Sequence, residues 1–276
     1  MKRQQFSILG FSGTLFTLVF AIVWVFPLYW VVVTSFKPDT ETIAFPPTFF
    51  PKEWSLEAYT YILQNSPILS WYGNSLLTSV IITALVVLLA LMFAYALSQI
   101  EFPGKTWLYW LVLAGFMIPF QASLIPLFML VNKMGLVNTY AGVILPQLAA
   151  PIAVVIYKQF FDQVPKELSE AARLDGASEF RILFQIYLPL NLGITWALVI
   201  ITFIGAWNNF FWPFIVTNSA AKMTIPVGIT QVQAAYGVAY SKTMATAVLA
   251  ALPTVVAYLL FQRKVSEGVM ATSGLK

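Results

Sequence analysis

Six stretches of this chain, each about twenty residues long or longer, are almost free of charge, and that pattern fixes what it can fold into. They are Leu9–Thr34, Trp71–Leu97, Thr106–Val131, Tyr140–Phe160, Leu192–Val216 and Thr243–Phe261, with Lys158 the one charged side chain among them. A run of that length and polarity is long enough to cross the hydrocarbon of a bilayer. Inside lipid every backbone N–H and C=O must find a partner within the protein, so such runs become helices. The expectation is an all-α polytopic membrane protein with six transmembrane helices in one membrane domain over residues 1–276. Composition agrees: 59% of residues are hydrophobic and 9% charged, against about a quarter charged in soluble domains. So few charges could not cover a water-exposed surface.

The first run follows Lys2 and Arg3, as a signal peptide would. It is too long for a signal h-region and has no clear small-x-small cleavage site, so an uncleaved first span is expected. With six spans both termini share a side. That side carries Lys2, Arg3, Lys105, Lys158, Lys166, Arg173, Arg181, Arg263, Lys264 and Lys276, ten in all, against Lys37, Lys52, Lys133, Lys222 and Lys242, five, on the other. Basic residues concentrate on the cytoplasmic side, which puts both ends in the cytoplasm. The net charge of +4 reflects this topology rather than nucleic-acid binding.

Absences narrow the chemistry. The chain has no Cys and no His. That removes disulfides, thiolate nucleophiles, the commonest general base and the commonest metal ligand. No catalytic residue and no metal site is expected. No acidic or basic residue lies deep in a span, where a charge costs about 3 kcal/mol or more and usually marks an ion or proton path. A proton-coupled carrier is therefore disfavoured, and no inverted repeat supports a secondary transporter. Gly104-Lys105-Thr106 imitates the end of a phosphate loop, but Gln99 stands where the first Gly belongs, and Pro103 removes a backbone donor. If ATP is used, another chain binds it. The spans carry Pro27, Pro119, Pro126, Pro146, Pro151, Pro213 and Pro253, and each is expected to kink its helix unless it sits in the first turn.

The most informative segment is the cytoplasmic loop at residues 162–191. Pro165 suits a helix start, Glu167 and Glu170 suit the positive end of its dipole, and Gly176 suits its C-terminus. Leu168, Ala171, Ala172 and Leu174 give that helix a small-residue face. Ser178 then caps a second helix, with Phe180, Leu183, Phe184 and Tyr187 expected on one stripe and Pro189 at its end. Two short helices meeting at a glycine elbow outside the membrane invite close approach by another protein, although an ordinary amphipathic loop would read similarly.

The spacing is more specific. Glu170-Ala171-Ala172, three residues, Gly176, nine residues, Ile186, one residue and Leu188-Pro189 resembles the EAA motif of ABC importer permeases at all seven defined positions. Further similar stretches are Thr34-Ser35-Phe36-Lys37-Pro38, Asn74-Ser75-Leu76, Phe102-Pro103-Gly104-Lys105, Trp207–Pro213 and Phe261-Gln262-Arg263, so the likeness covers nearly the whole chain. The chain is similar to the carbohydrate-uptake permeases of the maltose-transporter type, in their shorter six-span branch.

The resemblance implies a prokaryotic cell-membrane subunit without its own ATP site. It would work with a second related permease, two copies of an ABC ATPase that bind ATP and Mg, and an extracytoplasmic solute-binding protein. Glu170, Ala171, Ala172, Arg173, Asp175, Gly176, Ile186, Leu188 and Pro189 would form the coupling element. Glu170 would offer its carboxylate to the ATPase, the two alanines would allow close packing, and Gly176 would form the elbow. The resemblance weakens in the tail Glu267–Lys276, where Gly268 fits and the remainder matches loosely.

For the substrate path, Trp207, Asn208, Asn209 and Trp212 join amides to aromatics, a combination that suits sugar hydroxyls and sugar faces. The same residues would equally cap a helix at the membrane interface. The outer loop Lys37–Ser70 and the segment Thr217–Tyr240 are expected to meet the binding protein. Glycerol phosphate is an alternative cargo, because a close branch of the family carries it.

Overall fold

A computed structural model describes the backbone of residues 8–236 and 239–272 and the side chains of residues 13–232 and 239–259. The described chain is helical throughout, with no strand. It forms two compact units. One takes in the chain through Ile68 together with Ile229–Leu252, and the other takes in Leu69–Gly228 with the chain from Pro253. The Lys2, Arg3 and Lys276 topology markers and the last residues of the tail lie outside the described residues, as do the side chains of Arg263 and Lys264.

Three helices are long and apolar enough to cross a membrane on their own, through the windows Gly13–Ser35, Ile68–Gln99 and Tyr240–Leu259. Three further pairs qualify only if each bent pair makes one span, which gives three to six spans. Four of the seven prolines explain where the chain bends. The expected span Thr106–Val131 is two helices, Lys105–Met117 and Phe120–Lys133, at 102°. Pro119 has no N–H to give to the first helix, and Ile118 before it is extended at ψ 117. Tyr140–Phe160 bends by 43° because Pro146 starts a short 3₁₀ turn and Pro151 forces Ala150 out of helical geometry. In Leu192–Val216 the helix stops at Trp207 and resumes at Phe211, since the Pro213 ring crowds the carbonyl four residues back. Pro27, Pro126 and Pro253 sit inside continuous helices and break nothing.

In the first unit the Ile8–Ser35 helix is followed by a short turn at Asp39–Thr42 and the Glu57–Asn65 helix. Within the single chain its span is almost wholly exposed. The intervening loop is tightly pinned. The Ser55 amide donates to Phe36 O at 2.8 Å, and the Phe36 ring packs on Tyr59 and Trp54 at 5.1 and 5.8 Å.

In the second unit the core runs along Ile68–Gln99. Tyr95, Tyr157, Phe161 and Tyr187 make an aromatic knot with centroid distances of 5.1 to 6.4 Å, surrounded by Leu91, Leu97, Ile182 and Leu183. Burial of a large apolar side chain is worth about 1.5–3 kcal/mol each, so this knot is a firm junction. It joins the end of the long helix, the Pro151–Phe161 helix and the elbow loop. Hydrogen bonds reinforce it: Ser98 Oγ donates to Asp162 Oδ1 at 2.6 Å, and Gln99 Nε2 to Phe161 O at 3.2 Å.

Candidate coupling site

The elbow loop is built from local signals. The Lys166–Leu174 helix starts after Pro165, with Glu167 in its first turn. It ends because Gly176 takes φ +79, a conformation in which an L side chain is strained. A Cβ there would meet nothing, so the requirement for glycine is conformational rather than spatial. The Asp175 amide donates to Ala171 O at 3.0 Å and the Ala177 amide to Ala172 O at 2.9 Å, which satisfies the last carbonyls. Ser178 then opens the Glu179–Ile182 helix, its Oγ accepting from the Arg181 amide at 3.4 Å.

The first helix has two faces. Glu167, Glu170, Ala171 and Leu174 follow the i, i+3, i+4, i+7 spacing of one helical face, and all four are exposed, Leu174 to 90%. Opposite them Ser169 is buried and Ala172 packs on the core. Asp175 is exposed beside the elbow. Arg173 is turned along the chain: its Nε and Nη2 donate to the Glu179 carboxylate at 2.8 and 3.2 Å, and Nη2 also approaches Gln99 O at 3.5 Å. Tyr95 Oη donates to the same carboxylate at 2.5 Å. The Arg173 guanidinium holds the Glu179 carboxyl below the usual carboxylate range, with the Tyr95 hydroxyl adding to the effect and partial burial opposing it. Glu179 in turn raises Arg173 above its ordinary value. The pair therefore closes the elbow and ties it to the Ile68–Gln99 helix.

The second half of the motif lies against the core. Ile186 and Leu188 are half-buried there and Pro189 is exposed. The stripe expected from the sequence is only partly buried. Leu183 and Tyr187 are buried, together with Ile182, but Phe180 is 63% exposed and Phe184 39%. The inward side runs through Glu179, Ile182, Leu183, Ile186 and Tyr187, which keeps helical spacing but lies beside the expected stripe, so Phe180 and Phe184 fall on the outer side. Residues Leu183–Tyr187 are π-helical, with the Leu188 amide donating to Leu183 O. The chain then bends by 86° at Asn191 into Leu192–Trp207.

The four aromatic and amide residues expected on the path are placed unequally. Trp207 is buried and stacks on Phe203 at 6.0 Å. Trp212 is buried and donates from Nε1 to Gly142 O at 3.0 Å. Asn209 is half-buried, with Nδ2 donating to Gln147 Oε1 at 2.6 Å, so it joins two of the helix breaks. Asn208 is exposed and accepts from Thr254 Oγ1 at 3.5 Å. Nearby, an apolar crevice of about 690 Å³ is lined by Leu88, Leu91, Phe203 and Val256, and by Phe184 and Leu188 from the elbow loop. Its polar lining residues are Thr83 and Thr195, whose hydroxyls donate to Ser79 O and Asn191 O of their own helices.

A model of the family described as binding-protein-dependent transport system inner membrane component matches residues 86–266. The chain belongs to this family. It is a membrane-embedded permease component of an ABC importer. It is 38% identical over the full length of both chains to the arabinooligosaccharides transport system permease protein AraQ of Halalkalibacterium halodurans. To the inner membrane ABC transporter permease protein YcjP of Escherichia coli it is 31% identical, covering 98% of this chain and 97% of the other. To the sn-glycerol-3-phosphate transport system permease protein UgpE of Brucella abortus it is 30% identical, covering 98% and 99%. Its fold matches a chain in the crystal structure of a bacterial ABC transporter involved in import of the acidic polysaccharide alginate, with TM-score 0.85, 20% identity, and 95% and 98% coverage.

Two features of the permease escaped the sequence reading. Glu179 and Tyr95 are 84 positions apart, and no periodicity announces their contact. Asn74 and Ser75 matter for a reason other than opening a span. Asn74 Nδ2 donates to Ala221 O and Met223 O at 2.9 and 2.8 Å, its Oδ1 accepts from Tyr140 Oη at 2.7 Å, and Ser75 Oγ accepts from the Ile225 amide at 2.7 Å. Together they seat the segment that precedes Ile225–Tyr236.

Proposed function

We propose that this permease forms, with a second related permease, the path for an oligosaccharide, and that it takes its drive from a pair of ATPase subunits through the exposed ridge Glu167, Glu170, Ala171 and Leu174. The ridge is the observation that carries the reading. A helix outside the spans that shows one acid-and-alanine face with a fully presented Leu174 is shaped to enter a groove in another protein. ATP and Mg belong to the ATPase, whose closure would pull the elbow. Gly176, Asp175 and Arg173 shape that elbow, while Ile186, Leu188 and Pro189 carry it into the spans.

Six spans with both ends in the cytoplasm are the reading we adopt: Lys105–Met117 with Phe120–Lys133, Tyr140–Leu148 with Pro151–Phe161, and Leu192–Trp207 with Phe211–Val216 each count as one span, the elbow stays outside, and the basic-residue count supports the orientation. The host is a prokaryote, and the extracytoplasmic binding protein delivers the cargo to the opposite face, where the segment from Thr217 is held in place. A sugar cargo is supported by the relatives, which include an arabinooligosaccharide permease. The apolar crevice near Asn208 has no charged residue, and its two threonine hydroxyls donate within their own helices, so it offers few polar groups to any cargo. The second permease therefore supplies most sugar contacts, with Asn208 the exposed candidate here.

Glu170→Lys tests the coupling role. Uptake falls and the ATPase is lost on purification, while membrane insertion is unchanged. Wild-type uptake in that variant contradicts the assignment.

A further inference from the structure

The last long helix, Tyr240–Thr272, begins without a cap of its own. Its first bond runs from the Thr243 amide to Ala239 O at 3.0 Å, which puts Ala239 at the N-cap. An alanine there has no side-chain acceptor for the amides of the first turn. Asp39, 202 positions earlier, supplies one. Its Oδ1 accepts from the Ser241 amide at 3.2 Å and from Ser241 Oγ at 2.5 Å, and Ser241 is buried. The carboxylate also sits at the positive end of the helix dipole.

Lys242 stands in the same first turn, where that dipole disfavours a cation. Its partners account for its place. Its Nζ lies 3.8 Å from Asp39 Oδ2 and 4.1 Å over the Tyr61 ring. Tyr61 belongs to the Glu57–Asn65 helix, and that helix is tied in turn to the first span: Tyr59 Oη and Ser35 Oγ are hydrogen-bonded at 2.7 Å, with Ser35 fully buried. Asp39 itself is held in its turn by Thr42 Oγ1, which donates to Asp39 O at 2.7 Å. Three elements are thus joined pairwise: the end of the first span with its following turn, the short helix, and the start of the last span. All three contacts fall inside one compact unit of the chain.

We propose that Asp39 is a positioning residue for transport: it is the cap the last span lacks, and it locks the start of that span to the end of the first, so that the two remain one body through the ATP-driven cycle. A joint that opened here would strand a buried serine amide and hydroxyl and break a charge-assisted bond, while the other two sides of the triangle still held. On the orientation adopted above the clasp is extracytoplasmic, but the inference rests on the contacts and not on the side.

The chain has no native Cys, so paired labels are simple to place. The whole importer, with cysteine-free partner subunits, is put in lipid nanodiscs with spin labels at Thr60→Cys and Ala251→Cys, both exposed and one on each side of the clasp. Their distance is measured by double electron–electron resonance without nucleotide and after trapping with ATP and vanadate, which needs no knowledge of the cargo. One narrow distance, the same in both states, is expected. Asp39→Ala should broaden it several-fold, whereas Asp39→Asn, which keeps an oxygen for Ser241, should stay close to wild type. A wild-type distance that shifts between the two states means a joint that opens, and overturns the proposal. An unbroadened Asp39→Ala means that the cap is dispensable, and overturns it equally. If Asp39→Ala does not assemble, Ser241→Ala combined with Lys242→Gln, which leaves only the amide contact, is judged in its place by the same broadening.

Discussion

Removing the Glu179 carboxylate in two ways separates its two jobs. Glu179→Gln keeps the shape and an oxygen that can accept from Tyr95, but loses the charge. The Arg173 and Glu179 side chains are 36% and 41% exposed, so the pair behaves as a surface ion pair worth about 0.2–1 kcal/mol. Glu179→Ala removes the acceptor as well. Tyr95 is only 3% exposed, and a buried donor left without a partner costs about 1–3 kcal/mol. The expected order of stability is wild type, then Glu179→Gln, then Glu179→Ala at a clear distance. Adding Tyr95→Phe to Glu179→Ala removes the stranded hydroxyl and should recover much of that loss, a positive coupling of about 1 kcal/mol or more. Thermal unfolding of the detergent-purified importer, followed by intrinsic fluorescence, ranks the four proteins. The reasoning is refuted if Glu179→Gln unfolds as early as Glu179→Ala. It is refuted equally if the double variant is no more stable than Glu179→Ala alone.

The same carboxylate sets a pH response. Because Arg173 lowers its pKa below the ordinary 4.5, its contribution is present above that value and is lost as pH falls through the lowered one. Wild type should therefore lose stability more steeply than Glu179→Gln on acidification below about pH 4.5, measured by the same unfolding assay. At Gly228 a Cβ would fall within the ring of Trp71, which is 2% exposed and fixed by its Nε1 bond to Ala220 O at 2.9 Å. Gly228→Ala should cost about 1–3 kcal/mol through overpacking and speed protease cleavage near residue 220, whereas Gly73→Ala, inside a helix with nothing near its Cβ, should stabilise by about 0.5–1 kcal/mol and not speed cleavage.

Legibility in the sequence followed the range of the interactions. The elbow is local: Pro165, Glu167, Gly176 and Ser178 each act within one turn, and the structure places a helix end at each. The prolines were visible too, but which of them break a helix was not. Pro27 and Pro253 remain inside continuous helices, while Pro119, Pro151 and Pro213 mark breaks. A proline only forbids one hydrogen bond, and tertiary packing decides whether the chain turns there. The Phe180–Tyr187 stripe misled because two helical stripes share Leu183 and Tyr187, and the structure buries the one that runs through Ile182 and Ile186 rather than through Phe180 and Phe184. The outer loop announced itself by Pro and aromatic content, but composition does not say which way side chains point.

The proposed coupling through the ridge would need stiffness more than any special chemistry. A pull on Glu170 that opened the Gly176 elbow would be absorbed there, because glycine at φ +79 is the one soft joint between the two short helices. The Arg173–Glu179 pair spans that joint, and Tyr95 fastens it to the Ile68–Gln99 helix. Tyr187 then sits in the aromatic knot with Tyr95 and Phe161, so the second short helix cannot slide independently of the Pro151–Phe161 helix. Leu188 carries the same block to the wall of the apolar crevice. Close-packed interiors transmit displacement rather than dissipate it. On the proposed coupling, a pull at the exposed ridge would reach the span walls through these contacts, and loosening Glu179 should weaken uptake even where ATP hydrolysis persists.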